Sequence, residues 1–424
     1  MKLNKMAFVG MLVAIFCSLS LSAKEEPPVL LIYGSSVEAF TAAIQGARSN
    51  VPTLWVIDTD RIVAELTQKP LHIEANEGLD GGIWMDLLMN VAISTNANDS
   101  LARIVKRDIN PTLMLNAIEK MVSKEQKLTV IRNRKIKSLV KNKKGWTVLL
   151  EDNKEYEVRT VVDASSEGEL RTRVMKNSVT LQPVEQNVAD TLSAQQIRTT
   201  IAVGEYKDTC YAVLVKDVLA QNFQELFFIQ SLISSSKEAE SIPFRAHVGQ
   251  GVGALAAYCA FFKTTADKVD VRKLQTELMT FGARLLPWRD VSQQDPNYAA
   301  IEKGYLATIL AGKGNNQQFD ATDSVTVASV KPIFNQLYSR SQLWFIDHTA
   351  EVFSLADLLS FIKFISFRGS EIEAQIQKDW TKRLKFQGEY DLDRVVNRYE
   401  FLTLINKYAD PYAKTVTVGG DIVR

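Results

Sequence analysis

A short loop of glycine and serine near the start of the chain is the first candidate for chemistry. A hydrophobic run, Val29–Tyr33, leads into Gly34, and small residues then lead into an alanine-rich helical segment, Phe40–Arg48. A strand, a turn and a helix in this order place backbone N–H groups at a helix start, where they bind phosphate. The spacing corresponds to Gly34-x-Ser36-x-x-Ala39, which predicts a dinucleotide-binding loop.

An acidic residue follows at the distance expected for the ribose of an adenosine. Thr53–Ile57 is predicted to form a second buried strand, and Asp58 ends it. In dinucleotide-binding units, a carboxylate about 20 residues after the glycine loop accepts hydrogen bonds from ribose hydroxyls. Asp58 is therefore a candidate ribose ligand, and the alternative is that it caps the segment after the strand.

Three later turns have a similar composition. Gly81-Gly82 precedes an apolar stretch, and the predicted strand Glu155–Val162 ends in Asp163-Ala164-Ser165. Gly249-Gln250-Gly251-Val252-Gly253 is predicted to open a small-residue helix, Ala254–Phe262. Backbone N–H groups at such a start hold an anion or a flavin edge. The alternative for this glycine run is close packing of a helix on a strand.

Composition and charge exclude several classes of function. The chain has 424 residues and a net charge of +1, so neither nucleic acid nor an anionic membrane surface is an expected partner. The histidines and cysteines lack the spacing of a metal site or a catalytic triad. For Cys210 and Cys259, the sequence is compatible both with one disulfide and with two buried thiols. The histidines are His72, His247 and His348.

The first residues have the pattern of a secretory signal peptide. Lys2 and Lys5 form a positive region, Met6–Leu21 is apolar, and Leu21-Ser22-Ala23 is a suitable cleavage site. The alternative is a membrane anchor, for which the apolar run is shorter than the ~20 residues of a span. The mature protein is therefore predicted to be secreted or periplasmic, with no stable membrane span.

Four collinear segments together resemble a known family, the secreted FAD-dependent oxidoreductases of polysaccharide-degrading bacteria that are labelled xanthan-lyase-like. Their motifs in that family are Y-G-G-T-P-A-G, I-D-A-T-G-D-G-D-L, N-L-L-V-A-G-R and L-G-Q-A-A-G-T-A-A-A. The corresponding segments here are Tyr33-Gly34-Ser35-Ser36-Val37-Glu38-Ala39, Val161–Leu170, Val213–Ser234 and Val248–Ala257.

The resemblance implies an α/β fold with a two-dinucleotide-binding, Rossmann-like flavoprotein core. It also implies bound FAD and hydride transfer between a substrate and flavin N5. No residue is evident as a catalytic base, and His247, just before the last glycine run, is a weak candidate. The candidate cofactor-binding residues are Gly34, Ser35, Ser36, Ala39, Asp58, Gly81, Gly82, Asp163, Ala164, Ser165, Gly249, Gln250, Gly251 and Gly253.

The chain departs from the family pattern at positions that matter for the cofactor. Glu38 places a carboxylate beside the predicted diphosphate, Ser165-Ser166 replaces Thr-Gly, and Ile229-Gln230 stands in place of Gly-Arg. Only residues 171–209 fill the interval in which the family has a substrate-covering domain. If the Glu38 carboxylate points into the groove, we expect no FAD there.

Two functions are compatible with this sequence, and it leaves open whether the protein is an enzyme. The first is an exported FAD-dependent oxidoreductase that acts on an unknown substrate of small-molecule or carbohydrate-derived type. The second is an inactive flavoprotein-like scaffold in the cell envelope, with a polysaccharide or a protein as its binding partner.

The last third of the chain is predicted to be helical. Phe319–Thr326 and Tyr390–Asn397 share an aromatic–Asp start, a short turn and a cap before a helix, which is a weak internal repeat. The repeat resembles the S-layer-homology module, whose better-known members bind cell-wall polysaccharide. The alternative is a helical packing domain in which Thr326 and Asn397 are N-caps. The predicted organisation is a signal peptide at 1–23, an α/β domain at 24–286 with a residual substrate-domain segment at 171–209, and an all-α domain at 287–424.

Overall fold

The computed structural model describes residues 26–165, 168–174, 187–219, 225–229, 238–313 and 318–423. The predicted signal peptide, residues 1–23, lies outside the described residues, as do Ser166 and Gln230. The strands are β1 (Leu30–Tyr33), β2 (Thr53–Val56), β3 (Leu128–Ile131), β4 (Ile136–Lys141), β5 (Trp146–Leu150), β6 (Glu155–Val158), β7 (Thr160–Asp163), β8 (Thr200–Tyr206), β9 (Thr209–Leu214) and β10 (Leu226–Phe228).

Helices surround these strands and make up most of the last third of the chain. They are α1 (Val37–Arg48), α2 (Ala64–Thr67), α3 (Gly82–Val91), α4 (Asp99–Arg107), α5 (Pro111–Lys124), α6 (Glu169–Val174), α7 (Ala194–Ile197), α8 (Val215–Leu219), α9 (Ile242–Phe262), α10 (Val271–Thr280), α11 (Tyr298–Leu306), α12 (Val327–Leu337), α13 (Ser341–Asp347), α14 (Leu355–Ser366), α15 (Glu371–Asp379) and α16 (Arg398–Ala409).

The central element is a five-stranded parallel sheet with strand order β10-β7-β1-β2-β3. Every residue of β1, β2 and β7 is buried, as expected for a parallel sheet covered on both faces. The predicted β-α-β unit is confirmed as β1, α1 and β2. Because parallel strands end at the same edge, the loops that follow β1, β2 and β7 meet there.

Two predicted strands each divide into two strands that belong to different sheets. Residues 129–140 are predicted to form one strand, but they cover parts of β3 of the parallel sheet and of β4 of a three-stranded antiparallel sheet with order β4-β5-β6. Glu155–Val162 likewise divides into β6 and β7 at Arg159. The change from β3 to β4 falls in the polar run 132–135, whereas neither glycine nor proline marks the change at Arg159.

The predicted helix start at Ala254 is wrong, because α9 begins at Ile242 and runs through the whole glycine run. A Cβ added to Gly249 would lie 2.4 Å from the Glu38 backbone oxygen, and one added to Gly253 would lie 2.6 Å from the Ala42 Cα. The glycines therefore let the backbones of α9 and α1 touch. The structure therefore shows close packing at this run, the alternative to a helix start, and the packing partner of Gly249 and Gly253 is helix α1.

The end of the shortened middle segment, within the described residues, is part of the core. Strand β8, at the end of the 171–209 segment, is buried along its whole length and forms a hairpin with β9. A Cβ on Gly204 of β8 would lie 2.5 Å from the Phe244 ring of α9. Cys210 in β9 and Cys259 in α9 are both free thiols.

Both predicted N-caps of the C-terminal helices are confirmed. Thr326 Oγ1 accepts a hydrogen bond from the Ser329 N–H at 3.3 Å, and Asn397 Oδ1 accepts one from the Glu400 N–H at 2.8 Å. A third helix, α14, begins in the same way at Ser354. Isolated β-bridges join the three capped segments, pairing Ser324 with Asn397, Thr326 with Val352, and Ser354 with Val395.

The hydrophobic core continues across the predicted boundary at residue 286. One cluster of buried side chains includes residues of α1, α9 and the C-terminal helices together. Arg272 of α10 donates to the Leu306 carbonyl at 3.2 Å, and Arg198 donates to the Gly420 carbonyl at 3.1 Å. The division into two domains stays a prediction, whereas the packing between the two parts is extensive.

A buried carboxyl group near this boundary predicts a pH dependence of stability. Glu302 Oε1 accepts hydrogen bonds from the Leu285 N–H at 2.7 Å and the Tyr298 hydroxyl at 3.0 Å. Burial raises the pKa of Glu302 from 4.5 to about 7. A raised pKa means that the folded state holds this proton more tightly than the unfolded state. The contribution of Glu302 to stability is therefore fully present below pH 4.5 and is lost as the pH rises through 7.

We expect Glu302→Gln to remove this dependence, since the amide is uncharged at every pH. One unit of pKa shift corresponds to ~1.4 kcal/mol. The free energy of unfolding of the variant, relative to that of the wild type, should therefore rise by about 2–3 kcal/mol from pH 4.5 to pH 8. Urea denaturation at both pH values measures the difference. Glu119→Gln, at an exposed position, is the matched control, and parallel curves for Glu302→Gln and the wild type would contradict the prediction.

Candidate functional site

Three of the predicted loops meet at the carboxyl edge of the parallel sheet. Gly34 has a φ of +132°, and an added Cβ would lie 2.4 Å from the Ala164 carbonyl oxygen, so a side chain is excluded. Ser36 Oγ donates to the Ala164 carbonyl at 3.1 Å and accepts the Ala39 N–H at 3.4 Å, which makes Ser36 the N-cap of α1. The structure thus brings Gly34, Ser36, Ala39 and Ala164 together, as predicted.

The N-terminus of α1 is already satisfied by groups of the protein. The Val37 N–H donates to Glu65 Oε1 at 2.7 Å, and the Phe40 N–H donates to the Ser36 carbonyl at 3.1 Å. A helix start carries partial positive charge and binds anions, and here the anion is the carboxylate of Glu65 from α2. Glu65 carries no motif signal, so the sequence analysis did not identify it.

Arg245 joins this carboxylate to that of Glu38. Its Nε and one terminal nitrogen donate to the two Glu38 oxygens at 2.6 and 2.7 Å, and the other terminal nitrogen donates to Glu65 Oε2 at 2.6 Å. The exposed fraction of the side chain is 5% for Glu38, 13% for Arg245 and 26% for Glu65. We call these three residues the Glu38–Arg245–Glu65 cluster. Such bidentate, charge-assisted hydrogen bonds are among the strongest in proteins.

The cluster shifts the pKa values of its members in different directions. Burial raises the pKa of Glu38, but the Arg245 charge and its hydrogen bonds outweigh burial and hold that pKa below its usual value. Burial dominates for Glu65, whose pKa is raised even though Arg245 opposes this. Burial lowers the pKa of Arg245, but the two carboxylates outweigh it and raise that pKa overall.

Asp58 lies at the same edge with one oxygen unsatisfied. Its Oδ1 is buried and has no hydrogen-bond partner among the described residues. Buried polar atoms are almost always hydrogen-bonded, so an orphaned carboxylate oxygen is a signal for a ligand or a water molecule. Its location after β2 agrees with the predicted ribose position.

The second predicted cofactor contact, at the start of α3, is filled by a side chain of the protein. Gln250 Oε1 accepts the Ile83 N–H at 3.0 Å, and its amide donates to Gln45 at 2.9 Å. A Cβ on Gly82 would lie 1.9 Å from Gln250 Oε1, and the N-cap residue before it is Gly81. The prediction that glycines and Gln250 face a ligand stays untested, but here Gln250 and Gly82 face each other.

Two other predicted residues have structural roles. Both oxygens of Asp163 are used: Oδ1 accepts from the Ser165 N–H at 3.1 Å and its hydroxyl at 2.6 Å, and Oδ2 accepts from the N–H groups of Leu170 and Arg171. His247 lies in the interior of α9, where its Nδ1 contacts the Val203 carbonyl at 2.8 Å and burial lowers its pKa. That position is typical of a packed core histidine.

The residues at this edge do not fit the diphosphate of FAD. Two carboxylates surround one guanidinium at the helix start, so the position that an incoming diphosphate needs carries net negative charge. Two like charges ~4 Å apart repel by about 4 kcal/mol at an intermediate dielectric constant. Among the described residues at this edge, Asp58 keeps an unsatisfied oxygen that could accept a hydrogen bond from a ribose hydroxyl. No flavin chemistry is therefore assigned to this site.

A separate cavity of about 430 Å³ lies beside the loop that precedes α3. Arg289, which is 34% exposed, pairs with Glu205 at 3.2 Å. Beneath the cavity, Asp80 forms a 2.6 Å ion pair with the fully buried Lys106 and accepts a hydrogen bond from Trp84 Nε1 at 2.9 Å. The cavity is lined by Glu77, Gly78, Asp80, Asp99, Ser100, Arg103 and Arg289.

Buried polar side chains hold the wall of this cavity in place. The Asn76 N–H donates to Glu205 at 2.6 Å, the Glu205 N–H donates to Asn76 Oδ1 at 2.9 Å, and Lys106 donates to the Ala75 carbonyl at 2.8 Å. Burying several charges is costly, and such arrangements concentrate at functional sites. The sequence analysis missed the cavity because its residues come from distant segments without a motif.

Metal sites and membrane-spanning helices are two further features that would indicate a function for the described residues. No group of three or more His, Cys, Asp or Glu side chains in this part of the chain is arranged to hold a metal ion. Within the same part of the chain, no helix combines the length and the apolarity needed to cross a bilayer.

Comparisons with solved structures find local similarity to several proteins, among them two reductases and a complex with FAD and NADP. Bacillithiol disulfide reductase from Staphylococcus aureus is 18% identical over 33% of this chain and 38% of its own, with a TM-score of 0.24. The Bacillus cereus enzyme gives 17% identity, 33% and 40% coverage and a TM-score of 0.24. OTEMO, in complex with FAD and NADP, gives 11%, 33% and 26%, with a TM-score of 0.23. This chain thus spans well under half of each, and the likeness carries no argument about activity.

Comparisons of sequence find one family. No curated protein matches the chain. Residues 30–175 match the model of the family described as FAD dependent oxidoreductase, and this segment contains the first three loops at the sheet edge. For this part of the chain, roughly a third of its length, the comparisons therefore support the FAD-dependent oxidoreductase family.

Proposed function

We propose that this protein is an exported binding protein built on a FAD-dependent oxidoreductase fold, and that it does not use FAD. One observation carries the proposal: the Glu65 carboxylate, held by Arg245, occupies the helix N-terminus that a dinucleotide's diphosphate needs. The match of residues 30–175 to an FAD-dependent oxidoreductase family accounts for the fold and for the sheet-edge loops.

The cavity beside α3 is the proposed binding site. Its lining includes three carboxylates, two guanidinium groups and the hydroxyl group of Ser100. Carboxylates accept hydrogen bonds from hydroxyl groups, whereas guanidinium groups bind carboxylates in bidentate geometry. A small, hydroxylated, carbohydrate-derived molecule with a carboxylate group is the class of ligand that fits both.

Export and attachment in the cell envelope complete the proposal. The signal-peptide pattern of residues 1–23 supports secretion or a periplasmic location. The C-terminal repeat resembles the S-layer-homology module, and the three N-capped helix starts that the β-bridges join support a repeated unit. An envelope polysaccharide or protein is the partner we propose for this region.

An alternative function, a FAD-dependent oxidoreductase, is favoured by one observation. The buried Asp58 Oδ1 has no partner in the described part of the chain, and Asp58 follows β2, as a residue that binds ribose would. In that case the Glu38–Arg245–Glu65 cluster would have to open before the cofactor enters.

Flavin absorbance separates the two functions. We expect the purified mature protein to show no band between about 350 and 500 nm, and to take up no FAD when an excess is added and removed by gel filtration. The physical reason is the repulsion between the diphosphate and the carboxylates of the cluster. A known flavoprotein treated in the same way is the positive control. Stoichiometric FAD, released on denaturation, would contradict the proposed function.

A further inference from the structure

The Glu38–Arg245–Glu65 cluster reproduces the charge pattern of a bound diphosphate. The diphosphate of a dinucleotide carries two negative charges, and Glu38 and Glu65 together also carry two. Their oxygens surround one guanidinium with donor–acceptor distances from 2.6 to 3.2 Å. One of these oxygens also accepts the Val37 N–H at 2.7 Å, as a phosphate oxygen at a helix start would.

The segment that carries Glu65 is held in this place by its backbone. Val63, immediately before α2, has a φ of +46° and is fully buried. A β-branched residue in the left-handed region is a genuine outlier that persists only when its surroundings enforce it. The chain after β2 therefore folds towards the start of α1, and Glu65 reaches it from this bend.

We infer that Glu65 is an internal plug, which replaces the diphosphate of a dinucleotide at the start of α1 and keeps the protein free of nucleotide. This inference rests on the proposed function. It adds that the anion site beneath the plug is intact: once the Glu65 carboxylate is removed, the Val37 N–H and one face of Arg245 are left without an acceptor.

Binding of inorganic pyrophosphate and ADP to a Glu65→Ala variant tests the inference by isothermal titration calorimetry. We expect the variant to bind both probes at least tenfold more tightly than the wild type. The matched control is Glu119→Ala, which removes the same charge from an exposed ion pair with Arg132. It is expected to behave as the wild type, because the ion-pair partner of Glu119 is Arg132, which is not part of the cluster.

A second variant keeps the test decisive if Glu65→Ala does not fold. Glu65→Gln retains an oxygen for the Val37 N–H and removes only the charge, and it is expected to bind pyrophosphate at least threefold more tightly than the wild type. A folded variant, judged by circular dichroism, that binds no better than Glu119→Ala would overturn the inference. Binding of FAD by the wild type would overturn the proposed function as well, so the two failures are distinguishable.

Discussion

Replacing Arg245 by alanine is expected to lower the free energy of unfolding by about 3–5 kcal/mol at pH 7, because two carboxylates lose their counter-charge. Glu38 is 5% exposed and cannot regain its hydration without local unfolding. Denaturation in urea, followed by circular dichroism, measures the loss. Arg132→Ala is the control: this residue forms an ion pair with Glu119 at 2.7 Å, but both side chains are about 40% exposed. Exposed pairs contribute less than about 1 kcal/mol.

The stability lost in the Arg245→Ala variant should depend on pH, and the direction of each pKa shift determines how. In the wild type the pKa of Glu38 is lowered, so its contribution is present above pH 4.5 and is lost as the pH falls through the folded value. Without Arg245, burial is unopposed and raises the pKa of both carboxyl groups. The folded protein is then most stable when both groups are protonated. The gap between Arg245→Ala and the wild type should therefore shrink from pH 7 to pH 4.

A neutral replacement of the whole cluster distinguishes a lost charge pair from lost packing. The triple variant Glu38→Gln, Glu65→Gln and Arg245→Met keeps the side-chain volumes and removes all three charges. We expect it to be more stable than Arg245→Ala, since no uncompensated charge stays buried. A triple variant as unstable as the single one, with no change between pH 4 and pH 7, would show that packing and not charge holds the cluster.

The sequence was sufficient for features that depend on local pattern. The β1-α1-β2 unit follows from a buried run, a turn of small residues and an alanine-rich helix. Gly34 and Ser36 lie between β1 and α1, as the strand–turn–helix pattern predicts, and their role as cofactor ligands stays a prediction. The caps Thr326 and Asn397 followed from the residue types that an N-cap selects. Each of these is decided within a few residues of the chain.

Features that depend on distant partners could not be predicted. Glu38 was recognised as an obstacle to a diphosphate, but its partner Arg245 is 207 positions away. For the glycines of α9 the sequence allows both a helix start and close packing, because a run of glycines is typical of each. Only the position of α1 decides between the two. Glu65 and the cavity residues carry no local signal at all.

The same reasoning explains why catalysis is not assigned here. Three residues of the predicted loops, Gly34, Ser36 and Ala164, contact one another at the sheet edge. They are needed for the fold whether or not a cofactor binds. A family match that rests on such loops therefore supports the fold more strongly than the chemistry. At two of the predicted cofactor loops, protein side chains, Glu65 and Gln250, accept backbone hydrogen bonds.

Replacing Lys106 by methionine is expected to lower the free energy of unfolding by about 3–5 kcal/mol, by the same physical reasoning at the proposed binding cavity. The Lys106 ammonium is 2.6 Å from Asp80, and the side chains are 1% and 5% exposed. Methionine keeps the length of the chain but leaves the Asp80 carboxylate without a counter-charge and the Ala75 carbonyl without its donor. Urea denaturation at pH 7 provides the measurement.

A double-mutant cycle with Asp80→Asn shows whether the pair itself is responsible. The asparagine oxygen still accepts the Trp84 Nε1–H, so the double variant should recover about 2 kcal/mol relative to Lys106→Met alone. Arg103→Met is the control on the same helix, since Arg103 and Glu77 are 46% and 55% exposed. A loss for Lys106→Met no larger than that for Arg103→Met would mean that the cavity wall does not depend on this pair. The expected result instead makes the Asp80–Lys106 pair the support that keeps the loop before α3 rigid, and a preorganised wall is what tight binding of a small polar molecule requires.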